Sequence, residues 1–281
     1  MKQLRDRTVV VTGAASGIGR ATALAFAAHG CHLALADVDD AGMQETRALV
    51  PTGCRVSTHV VDVADAAAMQ RFRDAAIGAH GAVHVVVNNA GLTRFAPFDE
   101  HSLEVQQHLI GVNLWGVLHG CRLFLSELRR HDEAHIVNIS SMAGFVGIPY
   151  QSLYCTTKFA VRGLTQSLRA ELADTGVGVT SIHPGAVRTS IMTNAGSVDP
   201  ALTQRMTDAM LRFGYPAERA GRMIVRAVRH NRAEVRLTPE SHATYFALRV
   251  APWALRYAMV LAMRAAGRLR TTPGTIDTEA P

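Results

Sequence analysis

The sequence predicts an α/β fold, a doubly wound parallel sheet of about seven strands flanked by helices. Short apolar runs recur through residues 1–238, and they are continuous in Val, Ile, Leu and Ala rather than alternating with polar residues. Such runs are typical of strands that are buried on both faces. Stretches of helical periodicity separate the runs, and this repetition favours parallel strands joined by helical crossovers.

The predicted elements follow one another without an internal repeat or a long linker. Helical periodicity is clearest over Gly17–His29 and Ser152–Asp174. Residues 1–238 are therefore predicted to form one domain, and residues 239–281 a helical extension. The predicted strands are Thr8–Val11, His32–Ala36, Arg55–Val61, Val83–Asn88, His135–Ser140, Gly178–His183 and Glu234–Thr238.

Length and composition indicate a large core and a reducing compartment. The chain has 281 residues, of which 48% are hydrophobic, enough for one substantial core. Its four cysteines show neither CxxC nor finger spacing, and the histidines show no metal-binding spacing, so no disulfide framework and no metal are predicted. No apolar leader precedes the first strand, which favours a cytoplasmic protein.

The positive charge of the chain lies in its last third. Residues 1–200 carry a net charge of −1 and residues 201–281 a net charge of +7, all of the basic groups in the latter being Arg. An evenly charged body with a basic tail that lacks a recognised binding module argues against nucleic acid as a partner.

A glycine-rich turn ends the first predicted strand. Residues 12–19 read TGAASGIG, and glycines at this place allow a tight turn and close approach of a pyrophosphate to a helix N-terminus. Asp37 ends the second predicted strand, where a carboxylate accepts hydrogen bonds from the adenosine ribose and repels a 2′-phosphate. No basic residue stands at position 16 or 38, so NAD is favoured over NADP. The alternative for Asp37 is a helix cap, a role that Asp39 or Asp40 fills better.

The chain contains two lysines against 27 arginines, and one of the two is Lys158, four residues after Tyr154. Residues i and i+4 share one face of a helix, so the phenol and the ammonium are predicted to lie close together. An ammonium at this position indicates a need for a compact point charge. Such a pair suits proton transfer by tyrosine, although YxxxK alone is a weak pattern.

These motifs, taken in order, resemble the short-chain dehydrogenase/reductase family of the compact type, over residues 6 to about 238. Besides the glycine turn and the Tyr–Lys pair, the resemblance rests on NNAG at 88–91, Asn113, IVNISS at 136–141 and HPG at 183–185. Ser141 precedes Tyr154 by 13 residues, the usual interval in the family.

The resemblance implies a Rossmann-type fold, an NAD-dependent reaction and a homodimer or homotetramer. It implies Tyr154 as general acid/base, Ser141 as the partner of the substrate oxygen, and Lys158 as the cation that favours the phenolate and holds the nicotinamide ribose. The resemblance implies that Asn113 holds a water that links Lys158 to solvent; the alternative, compatible with this role, is an asparagine satisfied inside a helix kink. The implied cofactor-binding residues are Gly13, Ser16, Gly17, Ile18, Gly19, Asp37, Asp62, Val63, Asn89, Ala90, Gly91, Tyr154, Lys158, Pro184, Gly185, Val187 and Thr189.

The segments that border the substrate in this family are rich in apolar residues here. They indicate a lipophilic secondary alcohol or ketone, although Met and Phe at such spacing also fill cores. Arg94 or Arg188 is an alternative receptor for a carboxylate. The predicted pocket residues are Phe95, Phe98, Phe145, Ile148, Tyr150, Ile191, Met192, Met206, Met210 and Phe213.

The last forty residues extend beyond the usual end of the family. Pro252 is predicted to open a basic amphipathic helix that runs to about Arg268, with Trp253 and Tyr257 away from the arginines. Two roles stay open for residues 240–270: packing on the body or on another subunit, or peripheral contact with an anionic membrane. The last dozen residues are predicted to be disordered.

The function predicted from these observations is NAD-dependent interconversion of a lipophilic secondary alcohol and its ketone. Two alternatives remain, an NADPH-dependent ketoreductase and a catalytically idle NAD-binding sensor or scaffold. The presence of Ser141, Tyr154 and Lys158 together favours an enzyme.

Overall fold

The computed structural model describes residues 1–189, 191, 196–197 and 200–265, with side chains omitted at a few positions after residue 199. The strands are β1 Thr8–Thr12, β2 His32–Asp37, β3 Val56–Val60, β4 Val85–Asn88, β5 Arg94–Phe95, β6 Ala134–Ile139, β7 Val177–His183, β8 Gly196–Ser197 and β9 Glu234–Arg236. The helices are α1 Gly17–Ala27, α2 Asp40–Ala48, α3 Ala66–His80, α4 Leu103–Ile110, α5 Gly116–Leu128, α6 Ser152–Glu171, α7 Pro200–Phe213, α8 Ala217–Arg229, α9 Pro239–Val250 and α10 Pro252–Ala265.

Seven strands form one parallel sheet in the order β3-β2-β1-β4-β6-β7-β9. The order reverses beside β1, which pairs with β2 on one side and with β4 on the other. The prediction of a doubly wound parallel sheet is confirmed. The carboxyl ends of β1 and β4 meet at this reversal, which is where open α/β sheets place their ligands. A small second sheet pairs β5 with β8.

The sheet is covered on both faces because its strands are apolar on both faces. Val9 and Val11 face one buried cluster, which also holds Phe26 of α1 and Ile224 of α8. Val10 faces the opposite cluster, together with Phe124 of α5. These side chains are fully buried. The continuous apolar runs of the sequence therefore reflect two cores rather than one.

The ends of several elements differ from the predicted ones. The predicted strand Glu234–Thr238 ends at Arg236, because Thr238 instead caps α9 and accepts a hydrogen bond from the Ser241 amide. The predicted helix Gly17–His29 ends at Ala27, ahead of Gly30, whose φ is +78°. The predicted helix Ser152–Asp174 ends at Glu171.

Helix α9 begins at Pro239, the first residue of the predicted extension, and Ala251 separates it from α10. Helix α10 begins at Pro252 as predicted. Its predicted end near Arg268, and the predicted disorder of the last dozen residues, lie outside the residues that the structure describes.

Helices α4 and α5 are joined by a π-helical segment, Gly111–Trp115, into one helical stretch from Leu103 to Leu128. By length and composition alone this stretch could cross a membrane. In the fold, however, Leu109, Val117 and Leu128 are buried, the last two in the cluster under the sheet. We therefore interpret it as a core helix of the domain.

Candidate active site

The glycine-rich turn lies at the carboxyl end of β1. Gly13 and Gly17 have φ values of +66° and +54°, which side chains rarely adopt. A Cβ on Gly13 would also lie 2.8 Å from the Cα of Ala90, so the turn packs directly on the segment after β4. The first turn of α1 follows at once, and its amide groups have no acceptor within the helix. This arrangement fits a dinucleotide pyrophosphate.

Asn89 fixes the turn by bonding across the sheet reversal. Its Nδ2 donates to the carbonyl oxygens of Thr12 and Gly13, at 3.0 Å each. The Thr12 hydroxyl accepts in return from the amides of Asn89 and Ala90, at 3.0 and 3.1 Å. The structure places Asn89 and Ala90 against the glycine-rich turn, and their expected place near the adenosine ribose stays a prediction. Thr12 was missed, since a threonine at a strand end carries no signal of its own.

Asp37 ends β2 beside the same turn. Its Oδ2 accepts from the Ala15 amide at 2.9 Å, and its Oδ1 accepts from the Asp39 amide at 3.1 Å. Asp39 caps α2, as expected, by accepting from the Gly42 amide. The neighbouring Val38 is 67% exposed, so the position that would carry a positive charge for a 2′-phosphate is occupied by an apolar side chain.

Asp62 and Val63 follow β3 but face in different directions. Asp62 is exposed, and its Oδ1 accepts from the Ala64 amide at 2.9 Å. The Val63 side chain is buried against helix α5, where a Cβ on Gly116 would lie 2.6 Å from Val63 Cγ2. Contact between Val63 and an adenine would therefore use the backbone of Val63.

Tyr154 and Lys158 lie on one face of α6, as the spacing predicts. The Lys158 Nζ lies 5.6 Å from the centroid of the Tyr154 ring and donates to the Ile139 carbonyl oxygen at 3.0 Å. Lys158 is 3% exposed, and burial lowers the pKa of its ammonium to about 8. The lysine is therefore anchored at the carboxyl end of β6.

Ser141 begins the turn after β6 and approaches Tyr154. Its Oγ accepts from the Ala143 amide at 3.1 Å. Burial raises the pKa of the Tyr154 phenol, and the nearby Ser141 hydroxyl opposes this rise. Desolvation is the largest of the effects on this pKa. That Lys158 together with the oxidised nicotinamide favours the phenolate stays a prediction.

Asn113 lies in the π-helical segment, fully buried. Its Oδ1 accepts from the Leu92 amide and its Nδ2 donates to the Leu92 carbonyl, both at 2.8 Å. A third bond joins Nδ2 to Thr157 Oγ1 of α6 at 3.4 Å. The alternative to a water-holding role was an asparagine satisfied inside a helix kink, and the side chain does bond protein groups within an irregular helical segment. The implied role in holding a water stays a prediction.

Gly91 brings this asparagine and the lysine together. A Cβ on Gly91 would lie 3.2 Å from Asn113 Oδ1 and 3.4 Å from Lys158 Nζ. Gly91 therefore lies between the Asn113 and Lys158 side chains and is close to both. The four predicted catalytic residues are therefore gathered at one edge of the sheet.

The segment after β7 completes that edge. Thr189 reaches the glycine-rich turn, since a Cβ on Gly17 would lie 2.9 Å from Thr189 Cγ2. Pro184 accepts at its carbonyl from the Met142 amide at 2.7 Å. The side chain of Val187 is buried in the core, so its backbone is the part available to a ligand.

The predicted pocket residues divide into several groups. Phe98 and Phe213 are 62% and 76% exposed. Phe145 is buried, with its ring 5.3 Å from that of His183 and 5.4 Å from that of Tyr245, so it fills a core contact instead. The Met192 and Met206 side chains lie outside the described part of the chain.

The two arginines considered as receptors for a carboxylate have different surroundings. The Nε of Arg188 donates a hydrogen bond to the Gly214 carbonyl oxygen at 2.8 Å. The Nε of Arg94 is buried without a hydrogen-bond partner. Across the residues that the structure describes, no group of three His, Cys, Asp or Glu side chains is placed to hold a metal ion.

Comparison with known proteins agrees with this arrangement. The family model described as short chain dehydrogenase matches residues 7–199. A crystal structure of a short chain dehydrogenase/reductase from Burkholderia phymatum in complex with NAD is similar, with a TM-score of 0.81 and 32% identity. The match covers 87% of this chain and 93% of that one.

Two mycobacterial proteins are similar in sequence. The Probable oxidoreductase EphD of Mycobacterium tuberculosis is 38% identical over 262 residues, which cover 89% of this chain and 44% of EphD. The chain thus spans less than half the length of that relative. The 3-alpha-(or 20-beta)-hydroxysteroid dehydrogenase of M. tuberculosis is 35% identical over 188 residues, which cover 66% of this chain and 71% of that protein.

Proposed function

Since the chain belongs to the short-chain dehydrogenase family and is an oxidoreductase of CH–OH groups, we propose that it interconverts a lipophilic secondary alcohol and its ketone, with NAD as cofactor. The observation that carries the proposal is the buried Lys158 ammonium 5.6 Å from the centroid of the Tyr154 ring, with the Ser141 hydroxyl near enough to lower the pKa of the phenol. All three lie at the edge of the sheet where the glycine-rich turn also ends.

The proposed mechanism assigns proton transfer to Tyr154. A bound NAD would supply the acceptor for the hydride that leaves the alcohol carbon. Ser141 donates a hydrogen bond to the substrate oxygen and keeps it within reach of the phenol. Tyr154 removes the hydroxyl proton during oxidation and returns it during reduction. Lys158, held by the Ile139 carbonyl, supplies a fixed positive charge that favours the phenolate when the site is loaded.

The same proposal assigns cofactor contacts along the edge. The glycine-rich turn and the start of α1 hold the pyrophosphate, and Asp37 holds the adenosine ribose. Val187 and Thr189 are assigned to the nicotinamide carboxamide. Asp37 combined with the apolar Val38 supports NAD rather than NADP, because a carboxylate there repels a 2′-phosphate. An NADPH-dependent ketoreductase is the alternative within the family.

The substrate class is proposed from the apolar residues near the site and from the hydroxysteroid dehydrogenase relative. Phe95, Ile148 and Ile191 are partly buried, and Phe98 and Phe213 are exposed. Such surroundings favour a fused-ring or fatty alcohol over a small polar one.

The test is NADH formation from NAD and a panel of lipophilic secondary alcohols, including hydroxysteroids. Wild type should turn over at least one of them, and Tyr154→Phe should lose at least about a thousandfold in kcat, the upper part of the range for a lost general acid/base. Tight NAD binding without turnover in either direction would favour the sensor. A preference for NADPH in the ketone direction would favour the ketoreductase.

We further propose that the enzyme is a cytoplasmic homodimer or homotetramer that touches anionic membrane surfaces through its extension. Helix α9 packs on the body, but Trp253 and Tyr257 of α10 are 74% and 62% exposed. They lie in the part of the chain that carries the net positive charge. Exposed aromatic side chains with basic residues suit an anionic lipid interface.

Co-sedimentation with vesicles tests the membrane contact, and sedimentation equilibrium tests the assembly. Binding to vesicles with phosphatidylserine, lost at high salt and weakened by Trp253→Ala, is expected. Equal binding to neutral vesicles, or none to either, would contradict it. If a second copy of the chain covers α10 instead, the Trp253→Ala variant should form a smaller oligomer than wild type in sedimentation equilibrium.

A further inference from the structure

The first turn of α9 contacts the segment that follows β7. Ser241 Oγ donates to the His183 carbonyl oxygen at 3.0 Å, and Glu240 Oε1 accepts from the Ala186 amide at 2.8 Å. Thr238 and Ser241 are 1% and 0% exposed. The start of the extension is therefore built into the protein rather than laid over its surface.

The carboxylate of Glu240 lies directly on Gly185. A Cβ on Gly185 would lie 2.3 Å from Glu240 Oε1 and 2.4 Å from Thr238 Oγ1. No side chain can stand at position 185 while these two groups keep their places. The backbone of 183–186 and the first turn of α9 are thus fitted to one another.

The same segment is bonded to the turn that carries Ser141. His183 Nδ1 lies 3.0 Å from the Ser141 carbonyl oxygen, and its Nε2 lies 2.9 Å from Ser181 Oγ. A carbonyl only accepts, so Nδ1 carries the proton and Nε2 accepts from the serine hydroxyl. Burial lowers the pKa of His183 to about 4, which keeps this neutral form near pH 7. Ser241, His183 and Ser141 thereby form a continuous connection from α9 to the candidate catalytic serine.

A second contact lies one turn further along α9. The Tyr245 ring packs edge-on against Phe145, which follows the Ser141 turn, at 5.4 Å between centroids. The Arg236 guanidinium lies 4.2 Å above the Tyr245 ring, and that of Arg162 lies 5.9 Å from it. Arg162 belongs to α6, the helix that also carries Tyr154 and Lys158. Tyr245 therefore contacts both the Ser141 turn and α6.

We propose that α9 is a structural part of the active site, in which Glu240 is a positioning residue for the segment 183–187. Its carboxylate holds the Ala186 amide and thereby sets the backbone against which the nicotinamide half of the cofactor is proposed to bind. The inference rests on the proposed function for the identity of that ligand. It does not rest on it for the contact between α9 and the segment.

The experiment compares Glu240→Gln with Glu240→Ala in the full chain. Glutamine keeps the Oε1 acceptor, whereas alanine removes it and leaves the exposed Ala186 amide to bond with water. Glu218→Ala is the matched control, because Glu218 is an exposed glutamate in the first turn of α8. Three quantities are measured: hydrogen exchange of a peptide covering 183–189 without cofactor, the Kd of NADH by fluorescence, and the KM for NAD against kcat.

The alanine variant should show faster exchange in this peptide, and its Kd for NADH and KM for NAD should each rise about five- to tenfold, as expected for one lost hydrogen bond. The glutamine variant and the Glu218→Ala control should stay within about twofold of wild type. Unchanged exchange and Kd in the alanine variant would overturn the proposal, as would a glutamine variant as impaired as alanine. Exchange is read without cofactor or substrate, so the inference can fail or hold independently of the proposed reaction.

Discussion

Replacing Asn113 with alanine distinguishes two roles for this residue. In the first role Asn113 merely holds a water near Lys158, and its loss reduces activity with little effect on stability. In the second role it supports the fold by bonding both backbone groups of Leu92 at 2.8 Å. The structure favours the second role, because these bonds tie the segment after β4 to the π-helical segment.

The expected loss of stability follows from the groups that are left without partners. Alanine deprives the Leu92 amide and carbonyl of their hydrogen bonds, and an unsatisfied buried group costs about 1–3 kcal/mol. Leu92 is only partly buried, so we expect about 2–4 kcal/mol in total. One kcal/mol shifts the Tm of a large domain by about 2–4 °C, which gives a fall of roughly 4–16 °C.

The assay is thermal unfolding followed by circular dichroism, without cofactor. Asn113→Asp should be at least as destabilising as alanine, because it sets an oxygen against the Leu92 carbonyl. Gln204→Ala, which removes an exposed amide bonded to Asp208, should change the free energy of unfolding by less than about 0.5 kcal/mol. A Tm of Asn113→Ala within about 1 °C of wild type would refute the supporting role.

Three further predictions concern the cofactor, the lysine and acid stability. Asp37→Ala should lower the ratio of kcat/KM for NAD over NADP at least about tenfold, and an unchanged ratio would mean that Asp37 does not contact the ribose. Lys158→Arg should lose at least about a hundredfold in kcat, because a guanidinium does not fit where Nζ is buried against the Ile139 carbonyl; near wild-type turnover would show that any cation serves. Burial lowers the pKa of His135 to about 3. Between about pH 6.5 and 3, His135 is therefore protonated in the unfolded chain but neutral in the folded one, so the free energy of unfolding should fall as the pH drops through this range. His135→Gln should reduce the slope of that fall by up to about 1.4 kcal/mol per pH unit, and a slope equal to that of wild type in chemical unfolding would contradict the assignment.

Local patterns in the sequence were enough to predict most of the fold. The apolar runs give the central strands to within a few residues, since a strand buried on both faces has to be apolar throughout. Thr238 was wrongly predicted to end a strand. It caps a helix instead, because the residues that follow it form α9. The buried position of Phe145 was missed for a related reason: its partners, His183 and Tyr245, come from distant parts of the chain.

The sequence by itself determined the chemistry that the chain carries: the glycine turn, Asp37, and the Tyr154–Lys158 pair, each of which is encoded within a few neighbouring residues. Tertiary structure decided how those groups are held. The bond from Asn89 to Gly13 joins residues 76 positions apart, and the bond from Ala186 to Glu240 joins residues 54 apart. Burial, which sets the pKa of Tyr154 and of Lys158, likewise depends on the surrounding packing and not on neighbours in sequence. The reason is physical: propensity and periodicity act over a few residues, whereas hydrogen-bond partners and desolvation exist only once distant segments have packed together.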